Sequence, residues 1–397
     1  MLTLSFLASL TVHLLLFSYS QLKELIALEM GLTYAEAGFV FSLSVFALVV
    51  LRIPWGFIID KLGVRASAGL ALTLLGIFGF LRGFAVNYET LLLFQLLMGV
   101  GLAAVMPCLP KLVAGLFPSE KTVFAIGASI SGFAIGDVIA LGGTPYLLRF
   151  LGGWQNVFYA YGAWALVLTV FWWIFSGGLS QKREKGSSSS MGKNLTALLR
   201  NRQVWLLSGL YFCSGACYDT LLVWLPSIAD AGAGASSSAW LATLMLPMGF
   251  LVASFVIGPL SDRVGLRKPF ILLLGLVAGP AIYSIALLPE TALWFSAFLV
   301  GICTVGVLMV VLAIPVELPQ TYALVGSAVG LITSFGNLGS FFMPTLVGYL
   351  RDVTCSFFWG VLLLSFLGES MLILGLPLIE TGRKGRRRAA LNSASRE

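Results

Sequence analysis

Arg52, Asp60, Arg65, Asp137, Asp219, Asp262 and Arg267 stand out because charge is scarce around them: only 10% of the 397 residues are Asp, Glu, Lys or Arg. An ionisable side chain inside an apolar run is expensive unless it faces a cavity or a partner, and such residues mark solute paths and proton relays. Arg52 lies one helical turn before Gly56 within such a run. Its guanidinium is suited to planar anions through a bidentate fork; the competing reading is a base that snorkels or pairs structurally. Asp137 lies mid-run among Gly132, Ala134 and Gly136. Burial penalises the charged form of a carboxylate, which makes Asp137 a candidate proton carrier, against the reading of a hydrogen-bonded structural acid. Asp219, beside Tyr218, and His13, the only histidine, are polar groups in two further apolar runs.

The other charges form a duplicated turn. Gly56, Asp60, Gly63 and Arg65 recur as Gly258, Asp262, Gly265 and Arg267 at a constant offset of 202. A carboxylate at a membrane edge can accept hydrogen bonds from the free N–H groups of a helix start and complement its dipole. Gly63 and Gly265 are predicted to supply the positive φ of the turn. The competing reading is a solvated turn whose bases only set topology. The sequence shows no metal-ligating cluster and no Ser–His pair. Its five cysteines form no disulfide framework. Enzyme chemistry, metals and cofactors are therefore not expected.

The elements that hold these residues follow from composition. The chain is 58% hydrophobic with mean hydropathy +0.97, whereas soluble proteins carry roughly 25% charged residues. Runs of ~20 apolar residues cross a bilayer, and twelve are readable, from about 3–20 and 34–56 through to about 356–378. The first is read as a retained helix, because no basic region precedes it. The polar, basic stretch 177–203 divides the chain into six runs within 1–176 and six within 204–379, followed by a basic tail at 380–397. With both termini inside, nineteen of the 24 Lys and Arg residues fall on the inner side, which predicts cytoplasmic termini in a plasma-membrane protein. The tail basic run is read as a stop signal that also holds anionic lipid, not as a nucleic-acid site. Arg82 is expected to snorkel to headgroups, and Glu369 to serve packing or oligomerisation. Trp154, Trp172 and Trp173 are expected to form an aromatic belt.

The halves are internal repeats. Phe133–Asp137 aligns with Thr333–Asn337 at offset 200, and Gly99 aligns with Gly301 at offset 202. Corresponding runs share orientation, so the expected fold is an all-α membrane protein of twelve transmembrane helices in two six-helix parallel pseudo-repeats.

On these residues the sequence resembles the major facilitator superfamily. A narrower resemblance, to nitrate/nitrite porters and cyanate permeases, rests on Arg52–Gly56, on Gly99–Ala103 leading to Pro107, and on Ser334–Gly339 before Pro344. Three positions depart: Gln95 replaces an antiporter arginine, Ala140-Leu141 breaks a glycine-rich antiporter run, and Ser254 stands opposite Arg52 where the nitrate branch has a second arginine. The resemblance implies a solute site between the halves, lined by helices 1, 4, 7 and 10. Asp219 and His13 would face it, the competing reading of His13 being a neutral imidazole bonded to a neighbouring hydroxyl, and Asn337 would border it. It also implies that Asp60 and Asp262, with Arg65 and Arg267, latch onto helix starts of the opposite half and close the cytoplasmic side in the outward-open state. Function as a monomer is implied too. The function read is secondary active transport of a small solute by alternating access. An anion is favoured by Arg52; coupling runs through Asp137 as a proton symport, or transport is uncoupled. Drug or metabolite efflux and a non-transporting solute sensor are the alternatives.

Overall fold

The computed structural model describes residues 1–116, 119–177, 198–233, 237–318 and 324–383; most of the expected linker and tail lie outside these. Twelve helices among the described residues are long and apolar enough to cross a membrane. They are α1 (Leu2–Met30), α2 (Tyr34–Leu62), α3 (Val64–Leu81), α4 (Tyr88–Leu116), α5 (Ser119–Leu151) and α6 (Trp154–Phe175), then α7 (Arg202–Ala233), α8 (Ser237–Val264), α9 (Lys268–Leu287), α10 (Glu290–Glu317), α11 (Val325–Thr354) and α12 (Phe358–Gly375).

Local chemistry sets the ends. Gly31 stops α1 in the left-handed region at φ 68°, and Thr33 and Glu36 cap each other's backbone at the start of α2. The α2–α3 and α8–α9 turns hinge on Gly63 at φ 82° and Gly265 at φ 72°, which a Cβ would disfavour.

Three expectations are corrected. The first run is longer than 3–20, because α1 continues to Met30 and takes Lys23 with it. Lys23 is buried, its Nζ donating to the Ser20 carbonyl at 3.0 Å and sitting 5.1 Å from the Trp224 ring centre, so it does not need a loop. Arg82 does not snorkel: it is fully buried, 4.3 Å over the Phe158 ring, with Nη1 donating to Gln95 Oε1 at 3.3 Å. Trp154 and Trp172 are also internal, because Trp154 bonds Glu29 and Trp172 bonds the Arg65 carbonyl. Glu369 packs against Gly279 of α9.

The repeat is visible in helix packing. Gly99 brings α4 onto the Ser44 carbonyl of α2, and Gly301 brings α10 onto the Leu246 carbonyl of α8. Gly132 and Gly136 bring α5 onto the α1 backbone, while Gly336 and Gly339 bring α11 onto Tyr211 and Phe212 of α7. Small residues that let backbones meet are the usual device for packing helices in lipid, where burial from water offers no drive.

Between the α1–α6 and α7–α12 sets the main contacts are α2 with α11, α5 with α8 and α1 with α7. They are uneven along the bundle. Toward the Gly31 end, Gly38 abuts Pro344, Gly348 abuts the Tyr34 carbonyl, Gly142 abuts Leu244, and Thr345 bonds Ser42 at 2.9 Å. Toward the Gly63 end of α2, α5, α8 and α11, a side chain added at Gly56, Gly127, Gly258, Gly326 or Gly330 would meet nothing within 4 Å. The two sets are pressed together at one end and splayed at the other.

This asymmetry sets a thermal test. Gly348→Val should lower the unfolding midpoint of the purified protein, since overpacking a close contact costs ~1–3 kcal/mol. Gly330→Val should leave the midpoint unchanged or raised. Equal losses would contradict the asymmetry.

Candidate functional site

The polar centre of the bundle is built where α1, α5 and α7 meet. Because Gly136 lets α5 lie on α1, Asp137 reaches His13, and Nδ1 of His13 stands 2.7 Å from Asp137 Oδ1. The imidazole is held between Phe133 and Phe17 at 4.5 and 5.3 Å between ring centres. Tyr218 of α7 donates its hydroxyl to the other oxygen, Oδ2, at 3.0 Å. Asp137 is fully buried, and both oxygens are bonded, as an interior carboxylate requires. Asp219, the next residue of α7, is half-buried beside Ser340 of α11, and Asn337 lies one turn before Ser340. His13 and Asp137, separate candidates in the sequence, are thus one unit, and Asp219 adjoins it.

Arg52 stands apart from this unit, about one turn past the midpoint of α2 toward the Gly63 end. Its Nη1 is buried with no hydrogen-bond partner among the described residues. Tyr211, two turns before Tyr218 on α7, is within electrostatic reach of it.

The duplicated turns are wired differently. In the first, Arg65 Nε donates to Ser176 Oγ at 2.9 Å and Trp172 Nε1 donates to the Arg65 carbonyl at 3.0 Å, tying the start of α3 to the end of α6. Gly56 and Gly63 are in place, while the Asp60 side chain lies outside the described ones. In the second, Arg267 meets Asp262 at 2.5 Å and Glu317 at 2.6 Å, and donates to Ser261 Oγ at 3.0 Å. Burial works to lower the Arg267 pKa, but the Glu317 and Asp262 carboxylates outweigh it and raise the value above the ordinary one. The start of α9 is capped by Glu380, which accepts from Arg267 N at 2.7 Å and Lys268 N at 3.0 Å. These described partners of Asp262 and Arg267 all belong to α7–α12 or the segment after it.

A carboxylate that does cap a helix start across the two sets lies at the opposite end. Asp352 of α11 accepts from Tyr34 N at 2.9 Å and Ala35 N at 2.8 Å, the first two residues of α2. Beside it, Arg351 sits 5.1 Å from the Tyr34 ring centre and 5.3 Å from that of Phe357. Sequence reasoning missed Asp352 and noted Tyr218 only as a neighbour of Asp219. The Thr33–Glu36 box was legible locally, but nothing near Asp352 announces a partner 318 positions away.

Comparison with known proteins places this architecture. The Major Facilitator Superfamily model matches residues 1–344. A protein of Cupriavidus pinatubonensis described as a probable 4-methylmuconolactone transporter is 30% identical over 302 residues, 72% of this chain and 69% of its own. A nitrite extrusion protein of Bacillus subtilis is 25% identical over 387 residues, 94% and 91% of the two chains. In fold, the chain is similar to a bacterial homologue of the human lysosomal transporter Spinster crystallised in an inward-facing, occupied conformation, with TM-score 0.72 at 17% identity over 94% of each chain. The chain is a multi-pass membrane transporter rather than an enzyme. It belongs to the Major Facilitator Superfamily.

The wiring of the two turns predicts unequal sensitivity. Arg267→Ala strands two carboxylates and should lower the unfolding midpoint clearly more than Arg65→Ala, which removes one side-chain bond to Ser176 and one to a carbonyl. Equal midpoints for the two variants would refute the difference.

Proposed function

We propose that this protein carries a small anion across the membrane by alternating access, with Arg52 as the anion-binding cation and Asp137 as the proton-coupling group. The observation that carries the reading is the buried Arg52 Nη1, which has no hydrogen-bond partner among the described residues. An unsatisfied interior donor costs ~1–3 kcal/mol, more for a charged group, and an anionic oxygen seated there would remove that cost. Arg52 lies on α2, one of the helices between the two sets and on the splayed side of the central cluster. A solute entering between the sets would have the guanidinium within reach, with Tyr211 electrostatically coupled to both Arg52 and Asp219. The relatives' descriptions support an acidic solute: nitrite, sulfoacetate and galactarate/D-glucarate are named among them.

The moving units in this reading are residues 1–176 and 204–379, joined by the basic linker 177–203. The bias of Lys and Arg supports cytoplasmic termini and a cytoplasmic Gly63 end, which makes the splayed form an inward-open one. The Gly56–Arg65 and Gly258–Arg267 turns then belong to a gate that is disengaged here and closes in the opposite state. Asp262 fits that role because its side chain is 61% exposed and free to find a second partner. Monomeric function follows if both the site and the gate are completed within one chain.

The test is a thermal-shift series on the purified protein with nitrite, sulfoacetate and galactarate, followed by uptake of the best stabiliser into proteoliposomes. Arg52→Ala should abolish both the shift and uptake, with the unfolding midpoint of the ligand-free protein intact. Asp137→Asn should retain exchange but lose accumulation driven by a pH gradient. Uptake unchanged in Arg52→Ala would sink the anion assignment, and pH-driven accumulation in Asp137→Asn would remove the proton role.

A further inference from the structure

Among the described residues, Tyr218 is the group of the α7–α12 set hydrogen-bonded to Asp137, and the contact is placed by packing. Its ring is buried and held edge-on by Phe250 of α8 at 5.6 Å. From there the hydroxyl reaches Asp137 Oδ2 at 3.0 Å. The Asp137 carboxylate also faces His13 of α1, and Asp219 of α7 lies within electrostatic range. Tyr161 of α6 bonds Thr144, two turns along α5. The charged residues of α8, Asp262 and Arg263, lie at its Gly63 end, those of α4, Glu89 and Lys111, lie near its ends, and α6 has none.

We infer that Tyr218 is a positioning residue that ties the protonation state of Asp137 to the relative placement of the two helix sets. This deepens the proton-coupling reading above and rests on it. The physical step is a change in one hydrogen bond. An ionised carboxylate accepts a hydroxyl more strongly than a neutral acid does. Protonating Asp137 weakens the tie from α7 to α5, and deprotonating it restores the tie. Because the bond is made in the splayed form, that form holds the ionised carboxylate better than a form in which Tyr218 has moved away. By linkage, rising pH should favour the splayed form, and falling pH should release it. His13 cannot provide this link, because α1 and α5 lie in the same set and are packed along shared glycines. It can hold or pass the proton, whereas Tyr218 links Asp137 to the other half by a direct hydrogen bond.

The experiment uses the full chain in lipid, with spin labels at Leu62→Cys on α2 and Leu260→Cys on α8, both exposed near the Gly63 end. Going from acid to alkaline pH should change the ratio of long-distance to short-distance populations by roughly tenfold, within the range usual for coupled sites. Tyr218→Phe removes one oxygen and keeps the ring. It should flatten most of this response while leaving the unfolding midpoint near that of the parent, and Asp137→Asn should abolish the response. A Tyr218→Phe protein with the full pH response overturns the inference. If Tyr218→Phe does not fold, Tyr218→His, which retains a ring donor, is expected to keep part of the response, and a complete loss in a folded Tyr218→His overturns it as well. The two readings fail separately. No anion uptake with an intact Tyr218-dependent distance change would defeat the anion assignment alone, whereas Arg52-dependent uptake with a Tyr218-independent distance change would defeat this one alone.

Discussion

The start of α2 has more free N–H groups than its own sequence can satisfy, and the closed end of the bundle depends on how that shortfall is met. Glu36 accepts from Thr33 N at 2.8 Å and Thr33 Oγ1 accepts from Glu36 N at 3.2 Å, which leaves Tyr34 and Ala35. Asp352 supplies both remaining acceptors from the other helix set. A helix start also carries partial positive charge, so the carboxylate is favoured there beyond its two hydrogen bonds. Gly38 and Gly348 make the approach possible by letting α2 and α11 meet at their backbones. One capping interaction thus joins two helices that neighbouring loops do not connect, at the end opposite the splayed one.

The polar centre lies between that cap and the splayed end, where each group has a different degree of completion. Asp137 is satisfied on both oxygens by groups from both sets. Arg52 retains an unbonded donor. A complete group resists change and a deficient one invites a ligand, which is the basis on which Asp137 is proposed for the proton and Arg52 for the solute. Arg82 shows that an unbonded buried donor alone does not make a base functional: its Nη2 also has no partner among the described residues, yet its guanidinium lies over the Phe158 ring and donates to Gln95.

Much of the fold was legible because hydrophobic length and duplication are local or periodic signals. The positive φ of Gly63 and Gly265 followed from the turn pattern, and the close helix approaches at Gly99 and Gly301 obey the same offset that aligned them in sequence. The individual candidates His13 and Asp137 were legible as rare polar groups in apolar runs, but their 2.7 Å contact was not, since 124 positions separate them. Lys23, Arg82 and Trp154 were misplaced for one reason: hydropathy treats every charge and indole as seeking the interface, whereas a carbonyl, a ring face or a carboxylate partner can keep each inside. Asp352 has a further disguise. It follows Arg351 near a helix end, where a pair of charges reads as an ordinary membrane boundary.

The most direct measurement is the distance distribution between spin labels at Leu28→Cys and Val353→Cys, exposed positions at the Gly31 end on opposite helix sets, with and without Asp352→Ala in the same background. The account expects one short population in the parent and a substantial longer one when Asp352 is removed, because the cap is worth ~0.5–2 kcal/mol and its loss shifts the balance toward opening at that end. Identical distributions would contradict it, and would leave the contact between α2 and α11 as packing without a latch.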